Sequence, residues 1–295
     1  AAPNASLVSP RIDWGIYVTE AVQAVIDGKE IPADWCKGYA DGAVYLSPLN
    51  EKIAAEGTQE AIDKAAEALK ELKQMTDAPL VADIHFDYRL ALTAMEAGID
   101  ALRINPGNIG RRENVVKVVE MARQVHVPIR IGINAGSLPE DLLEKYGGHP
   151  TAEGMAEGAM RHVRILEEEG FHDIVISVKS TDVPMMVKAN RILAAQTDYP
   201  LHLGVTEAGT EYRGTVKSAI GIGSLLLDGI GDTIRVSLTD DPLKEVRAAK
   251  EILSALGIQQ YGPVMISCPT CGRTQVDLIR MAQAAEEKLK EFKTP

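Results

Sequence analysis

The segment CPTCGR places Cys268 and Cys271 two residues apart, after a short apolar run and before a helical pattern. Thiols at this spacing hold a metal, an iron–sulfur cluster or a disulfide. Either metal option needs more ligands than two thiolates, and the one other cysteine, Cys36, lies far upstream. A second set of reactive side chains stands where short apolar runs give way to loops. Asp83 and His85 end VADIH, and Arg103, Asn105 and Asn108 occupy RINPGN. Arg130 and Asn134 belong to IRIGIN, and Lys179 and Asp182 to VKSTD. Thr206 and Glu207 open TEAG, and Arg235 and Ser237 precede TDD.

Taken singly, each has an ordinary explanation. Asp83 or Asp240 could cap the helix that follows, and one Arg or Lys at a strand end is often a solvated charge. Four cations from four runs, Arg103, Arg130, Lys179 and Arg235, are harder to assign to chance. Buried cations are costly without counter-charges, and Arg forks around phosphate oxygens. Together they predict an anionic ligand, most simply a phosphate or diphosphate. Catalytic candidates are His85 and Glu207 in the first place, with Asp83 beside them. His126, His149, His162 and His172 read as surface or packing residues, and the facing of His202 is left open. GIGSLLLDGIGD, from Gly221, lacks both the P-loop lysine and the dinucleotide glycine spacing, so its glycines read as close helix packing.

These residues need a scaffold, and a strand–helix rhythm supplies it. Seven β-branched runs are AVYLS, PLVADIHF, IDALRI, VPIRIGI, DIVISV, PLHLGV and DTIRVSL, with a weaker eighth, ASLVS, at 5–9. Helical patterns separate them. TQEAIDKAAEALKELKQM gathers Ile62, Ala65, Ala66, Leu69 and Leu72 on one face. DDPLKEVRAAKEILSALG carries an N-cap Asp, an early Pro and a closing Gly257. Eight such units predict a (β/α)8 TIM-type barrel, with a doubly wound open sheet as the alternative. In a barrel, the reactive residues belong at the C-terminal rim of the strands. After Gly257 the rhythm changes: YGPVMIS predicts a loop and a short strand, and an amphipathic helix is expected over 275–292.

Composition narrows the partners. The 295 residues carry a formal net charge of −11, which argues against nucleic acid or an anionic membrane as a bulk partner. No run approaches the roughly 18 apolar residues of a membrane helix. Three cysteines suit a reducing, cytoplasmic setting.

PLVADIHFDYRLAL, LRINPGNIG, IRIGINAGSL, the stretch from GVTEAGTEYRG to SLTDDP, and CPTCGR resemble the 4-hydroxy-3-methylbut-2-enyl diphosphate synthase family of non-mevalonate isoprenoid biosynthesis. The resemblance covers about 64–295. It implies a (β/α)8 barrel binding 2-C-methylerythritol 2,4-cyclodiphosphate and a small domain holding a 4Fe-4S cluster. Ferredoxin or flavodoxin supplies two electrons that open the ring and remove a hydroxyl. By the same resemblance, Arg103, Arg130, Asn134, Lys179 and Ser237 grip the diphosphate, with Asp83 and His85 nearby; Asn105 and Arg235, from the same strand ends, are further candidates for binding it. Glu207 corresponds to the acid beside the departing oxygen. Cys268 and Cys271 correspond to two of the cluster's three thiolates, and a Glu completes that set. The further Cys and the Glu have no counterpart after Cys271, so an incomplete cluster domain and no reductive turnover by this chain alone are expected. A homodimer is a further expectation from the family.

The opening residues follow another pattern. The stretch from SLVSPRIDWG to DGAVYLSPLN, about 4–65, resembles the basic-membrane-lipoprotein family of nucleoside-type solute-binding proteins. It lacks the barrel's own first two strands and their Arg. The expectation is a chimera in which 1–65 stands in for barrel units one and two, 66–258 supplies units three to eight, and 259–295 begins the iron–sulfur domain.

Overall fold

The computed structural model describes residues 10–12, 44–46, 57–85, 87–106, 109 and 111–289. The ASLVS run, Cys36 and Asn108 lie outside these residues. The described elements fall into two compact units, one holding residues up to Ala78 together with Leu92–Ile99, the other Pro79–Ala91 and the chain from Asp100.

In the first unit, strands β1 (Pro10–Ile12) and β2 (Val44–Leu46) pair antiparallel, Arg11 opposite Tyr45. Adjacent strands of barrel units pair parallel, whereas this pair is antiparallel. Helix α1 (Gly57–Met75) covers the predicted alanine-rich amphipathic segment.

The second unit contains the parallel strands. In order they are β3 (Val81–Asp83), β4 (Ala101–Ile104), β5 (Ile129–Asn134) and β6 (Ile174–Lys179), hydrogen-bonded in sequence order. Two parallel bridges, Ile176 with Leu201 and Ser180 with Val205, carry the run to β7 (His202–Leu203), which pairs with β8 (Thr233–Ile234). Helices separate the strands: α2 (Tyr88–Glu96), α3 (Arg112–Val125), α4 (Glu140–Lys145), α5 (Ala152–Glu168), α6 (Val183–Ala194), α7 (Glu211–Leu227) and α8 (Pro242–Ala255). Helix α5 packs against α6, α6 against α7, and α7 against α8. A parallel run with a helix after each strand is a (β/α)8-type α/β fold.

The predicted Asp cap of the DDPLK segment forms, at Asp241 rather than Asp240, and a further cap, not predicted from the sequence, forms at Asp182. The Asp241 carboxylate accepts from the Leu243 N–H with Pro242 next in line, and Asp182 accepts from Met185 N–H at the start of α6. Asp182 therefore takes the ordinary capping role. Gly257 closes α8 at φ +68°, where a side chain would be strained. Gly221 allows close packing of α7, because a Cβ there would approach Met186 and Val205 within 3 Å. Gly223 has open space instead, and Gly229 and Gly231 serve positive-φ turns, so the packing reading holds for only part of that motif.

Strand alternation sorts the side chains onto two faces. Leu102, Ile104, Ile129, Ile131, Ile133, Ile176, Val178 and Leu203 are fully buried, and Val205 beside them faces α7. The intervening residues face the other way and are mostly polar. That second face carries the candidate site.

The predicted strand in YGPVMIS is not formed. Residues 261–267 are irregular, and Val264 and Ile266 are exposed. Apolar residues alone do not make a strand without an edge to pair with. Helix α9 (Leu278–Leu289) forms within the predicted span.

Candidate functional site

Register sets the polar face in rows. Asp83 pairs with Arg103 across β3 and β4, and Arg103 with Arg130 across β4 and β5. Asn134 pairs with Lys179. The bridge of Ser180 to Val205 and the pairing of Leu203 with Ile234 carry that row through Gly204 to Arg235. Gly132 pairs with Ser177, and the same register brings His202 and Thr233 into their row.

Two glycines make room for cations. The Arg103 guanidinium lies over Gly132, where a Cβ would stand 2.7 Å from Cζ and still closer to Nε. At Gly204 a Cβ would meet the Arg235 carbonyl oxygen at 2.6 Å and Lys179 Cε at 3.2 Å. The long side chains therefore lie across the face because their neighbours lack side chains.

One carboxylate is bound within this group. Arg103 Nη1 donates to Asp83 Oδ1 at 2.8 Å and lies 3.3 Å from the His85 ring nitrogens. His85 Nε2 stands 3.5 Å from the same Asp83 oxygen. Burial, and then the charges of Arg235, Arg130 and Arg103, lower the Lys179 ammonium to about 7, with Asp83 opposing them. Burial likewise lowers Arg130, with Asp83 opposing it and Arg103 and Arg235 adding to it. Its Nε is buried without a hydrogen-bond partner. Such a face is short of negative charge, which is what an anion supplies.

The other sequence candidates take distinct places. Asn105, just past the end of β4, is buried. Asn134 is tied through its backbone to Ser137, whose hydroxyl accepts from its N–H and donates to its carbonyl. Ser237 follows Arg235 by two residues. Glu207, exposed and at φ +51°, accepts from the Thr181 hydroxyl at 3.0 Å, so its described bond is to the loop after β6 rather than to a cation. Asp240 bonds Lys244 rather than capping α8. His162 is buried as a packing residue, and burial lowers it to about 4.

One residue was left open by the sequence. His202 is 5 % exposed on the polar face, with Nδ1 2.8 Å from Thr233 Oγ1 and Nε2 buried without a partner. Burial, then Lys179, Arg130 and Arg235, lower its imidazole to about 3. The signal was present: Leu201, Leu203 and Val205 alternate with it, which assigns it to the face of Gly204.

Cys268 and Cys271 are exposed free thiols. The Cys271 N–H donates to Thr274 Oγ1, and the backbone N–H of Arg273, followed by the Thr274 hydroxyl, holds the Cys271 thiol below the usual range. Residues 267–270 border a cleft of about 370 Å³ with Leu278, Ile279 and Ala282 of α9. Among the described residues no three His, Cys, Asp or Glu side chains converge on a metal position. Two thiols do not by themselves fit a four-iron cluster.

The GcpE TIM-barrel domain matches residues 58–250, which span β3 to β8 and most of α8. The chain belongs to the GcpE TIM-barrel family. A 4-hydroxy-3-methylbut-2-en-1-yl diphosphate synthase (flavodoxin) of Fusobacterium nucleatum is 58% identical over 259 residues, 86% of this chain and 72% of that protein. The enzyme of the same name from Symbiobacterium thermophilum is 58% identical over 79% of this chain and 62% of its own length. That of Geobacter sulfurreducens is 60% identical over 76% and 64%. This GcpE-family chain thus spans about two thirds of the relatives it matches. Among its described residues, no helix is long and apolar enough to cross a membrane.

Proposed function

We propose that this chain carries the substrate-binding part of a 4-hydroxy-3-methylbut-2-enyl diphosphate synthase, gripping the diphosphate of 2-C-methylerythritol 2,4-cyclodiphosphate on its polar strand face. The observation that carries the reading is the sharing of that face by Arg103, Arg130, Lys179 and Arg235, while Asp83 is already bound to Arg103. A diphosphate would supply the missing negative charge, and Arg in particular offers it paired N–H donors. Asp83 and His85 hold the Arg103 guanidinium in place over Gly132. Asn105, Asn134 and Ser237 add neutral donors around the ligand.

We assign Glu207 as the acid beside the departing hydroxyl oxygen, held by Thr181 on the adjoining loop. Cys268 and Cys271 are proposed as two ligands of the cluster, and flavodoxin or ferredoxin as the reductant, in a cytoplasmic homodimer. The relatives' names, which include flavodoxin, support the electron source. Binding and turnover separate in the test. Millimolar pyrophosphate should raise the melting temperature, less so for Arg130→Ala and Lys179→Ala; no rise in the parent chain rejects the reading. Iron–sulfide reconstitution followed by flavodoxin-driven turnover would show whether reductive chemistry accompanies binding.

A second reading concerns the first 65 residues alone. We propose that they derive from a solute-binding protein and are joined to the barrel as a chimera. Its support is the antiparallel pairing of β1 with β2, where neighbouring strands of a barrel would run parallel. A gene in which Met-initiated native synthase sequence precedes residue 64 would reject it.

A further inference from the structure

A buried histidine beneath a cationic surface is an unexpected choice, because its ring must stay neutral and its nitrogens still need partners. His202 is placed in this way. It lies one row deeper than Lys179 and Gly204, in the row of Gly132, Ser177 and Thr233. Thr233 Oγ1 meets Nδ1, while Nε2 is sealed from solvent with nothing to bond. The nearby Arg130 Nε is orphaned in the same way. Two unmet polar atoms on one polar face point to a ligand atom that satisfies them.

We infer that His202 is a further binding residue of this face, donating a neutral hydrogen bond from Nε2 to an oxygen of the bound anion. The inference rests on the diphosphate reading and adds to it a contact one row below Lys179. With the Thr233 hydroxyl assigned as the donor to Nδ1, the ring's one hydrogen lies on Nε2, and Thr233 is the positioning residue. Neutrality follows from the surroundings. Burial comes first, and then Lys179, Arg130 and Arg235 disfavour a positive ring, lowering it to about 3. A neutral donor there holds the anion's inner oxygen without adding a fifth charge to Arg103, Arg130, Lys179 and Arg235. Asp83, the carboxylate of that face, is turned to Arg103 and His85.

A site that keeps an unmet polar atom for its ligand sacrifices stability when empty. That separates binding from packing in one variant. His202→Leu should bind inorganic pyrophosphate about tenfold or more weakly by titration calorimetry, while the ligand-free chain melts no lower than the parent. His202→Asn, which keeps an N–H, should recover part of the affinity. Affinity within twofold of the parent, or affinity and melting temperature falling together, overturns the inference. Should the variants fail to fold, the parent chain still decides. Its histidine 15N spectrum contains six rings, and the His162→Gln spectrum identifies the second ring that stays neutral to low pH. Saturating pyrophosphate should shift the already protonated His202 Nε2 resonance as it gains a hydrogen bond, and an unmoved resonance overturns the proposal. A parent chain that binds no pyrophosphate rejects the diphosphate reading itself, and this contact with it.

Discussion

Lys179 shows how one residue acquires a property its type does not have. Burial and three arginines lower its ammonium from 10.5 to about 7. A Lys depressed in the folded state burdens folding fully below pH 7, and the burden fades as pH rises toward 10.5. The parent chain should therefore gain stability relative to Lys179→Met on going from pH 7 to pH 10, read by denaturant midpoints. A flat difference between the two would contradict the buried placement. An anion acts in the opposite sense, favouring the ammonium. Binding above pH 7 then takes up a proton, and pyrophosphate affinity should fall with rising pH more steeply in the parent than in Lys179→Met. Calorimetry in buffers of different ionisation enthalpy counts that proton directly. At the same scale, the low-lying Cys271 thiol should react with iodoacetamide near neutral pH faster than a free cysteine.

At the scale of elements, glycines in similar-looking motifs do different work. Gly204 leaves space for the Arg235 carbonyl, a backbone atom that cannot swing away, so Gly204→Ala should destabilise by about 1–3 kcal/mol and displace Lys179. Gly223 lies inside α7 with open space around its missing Cβ. Gly223→Ala should stabilise by roughly 0.5–1 kcal/mol through helix propensity. Paired urea titrations check both, and equal effects would mean that the β7–β8 row is packed otherwise. Asp241→Ala should cost about 1 kcal/mol, because it removes the acceptor for the Leu243 N–H at the start of α8.

For the whole molecule, six parallel strands place the cations from β4, β5, β6 and β8 on one face although they are spread over more than 130 residues. Ligand effects should follow that architecture. Hydrogen exchange with pyrophosphate should slow amides at the C-terminal ends of β4 to β8 and leave α9 unchanged. Protection confined to α9 would move the anion away from the polar face. The net charge of −11 sharpens the contrast, because a local cationic face within an acidic protein selects a small anion over a polyanionic surface.

Much of this was legible in the residues. The strand–helix rhythm, the caps at Asp241 and Gly257, and the four cations follow from periodicity, from local hydrogen bonding and from strand ends, which depend on near neighbours in the chain. YGPVMIS misled because a strand needs an edge to pair with, and its own composition supplies none. The facing of His202 was encoded in the alternation of LHLGV, but its consequence was not. Only the tertiary structure set His202 beneath Lys179, laid Arg103 over Gly132 and turned Asp83 to Arg103. Those contacts join strands distant in sequence, and proton affinity depends on burial and on charges brought near by folding. The sequence by itself determined which groups could bind an anion; the register of the parallel strands decided which of them meet.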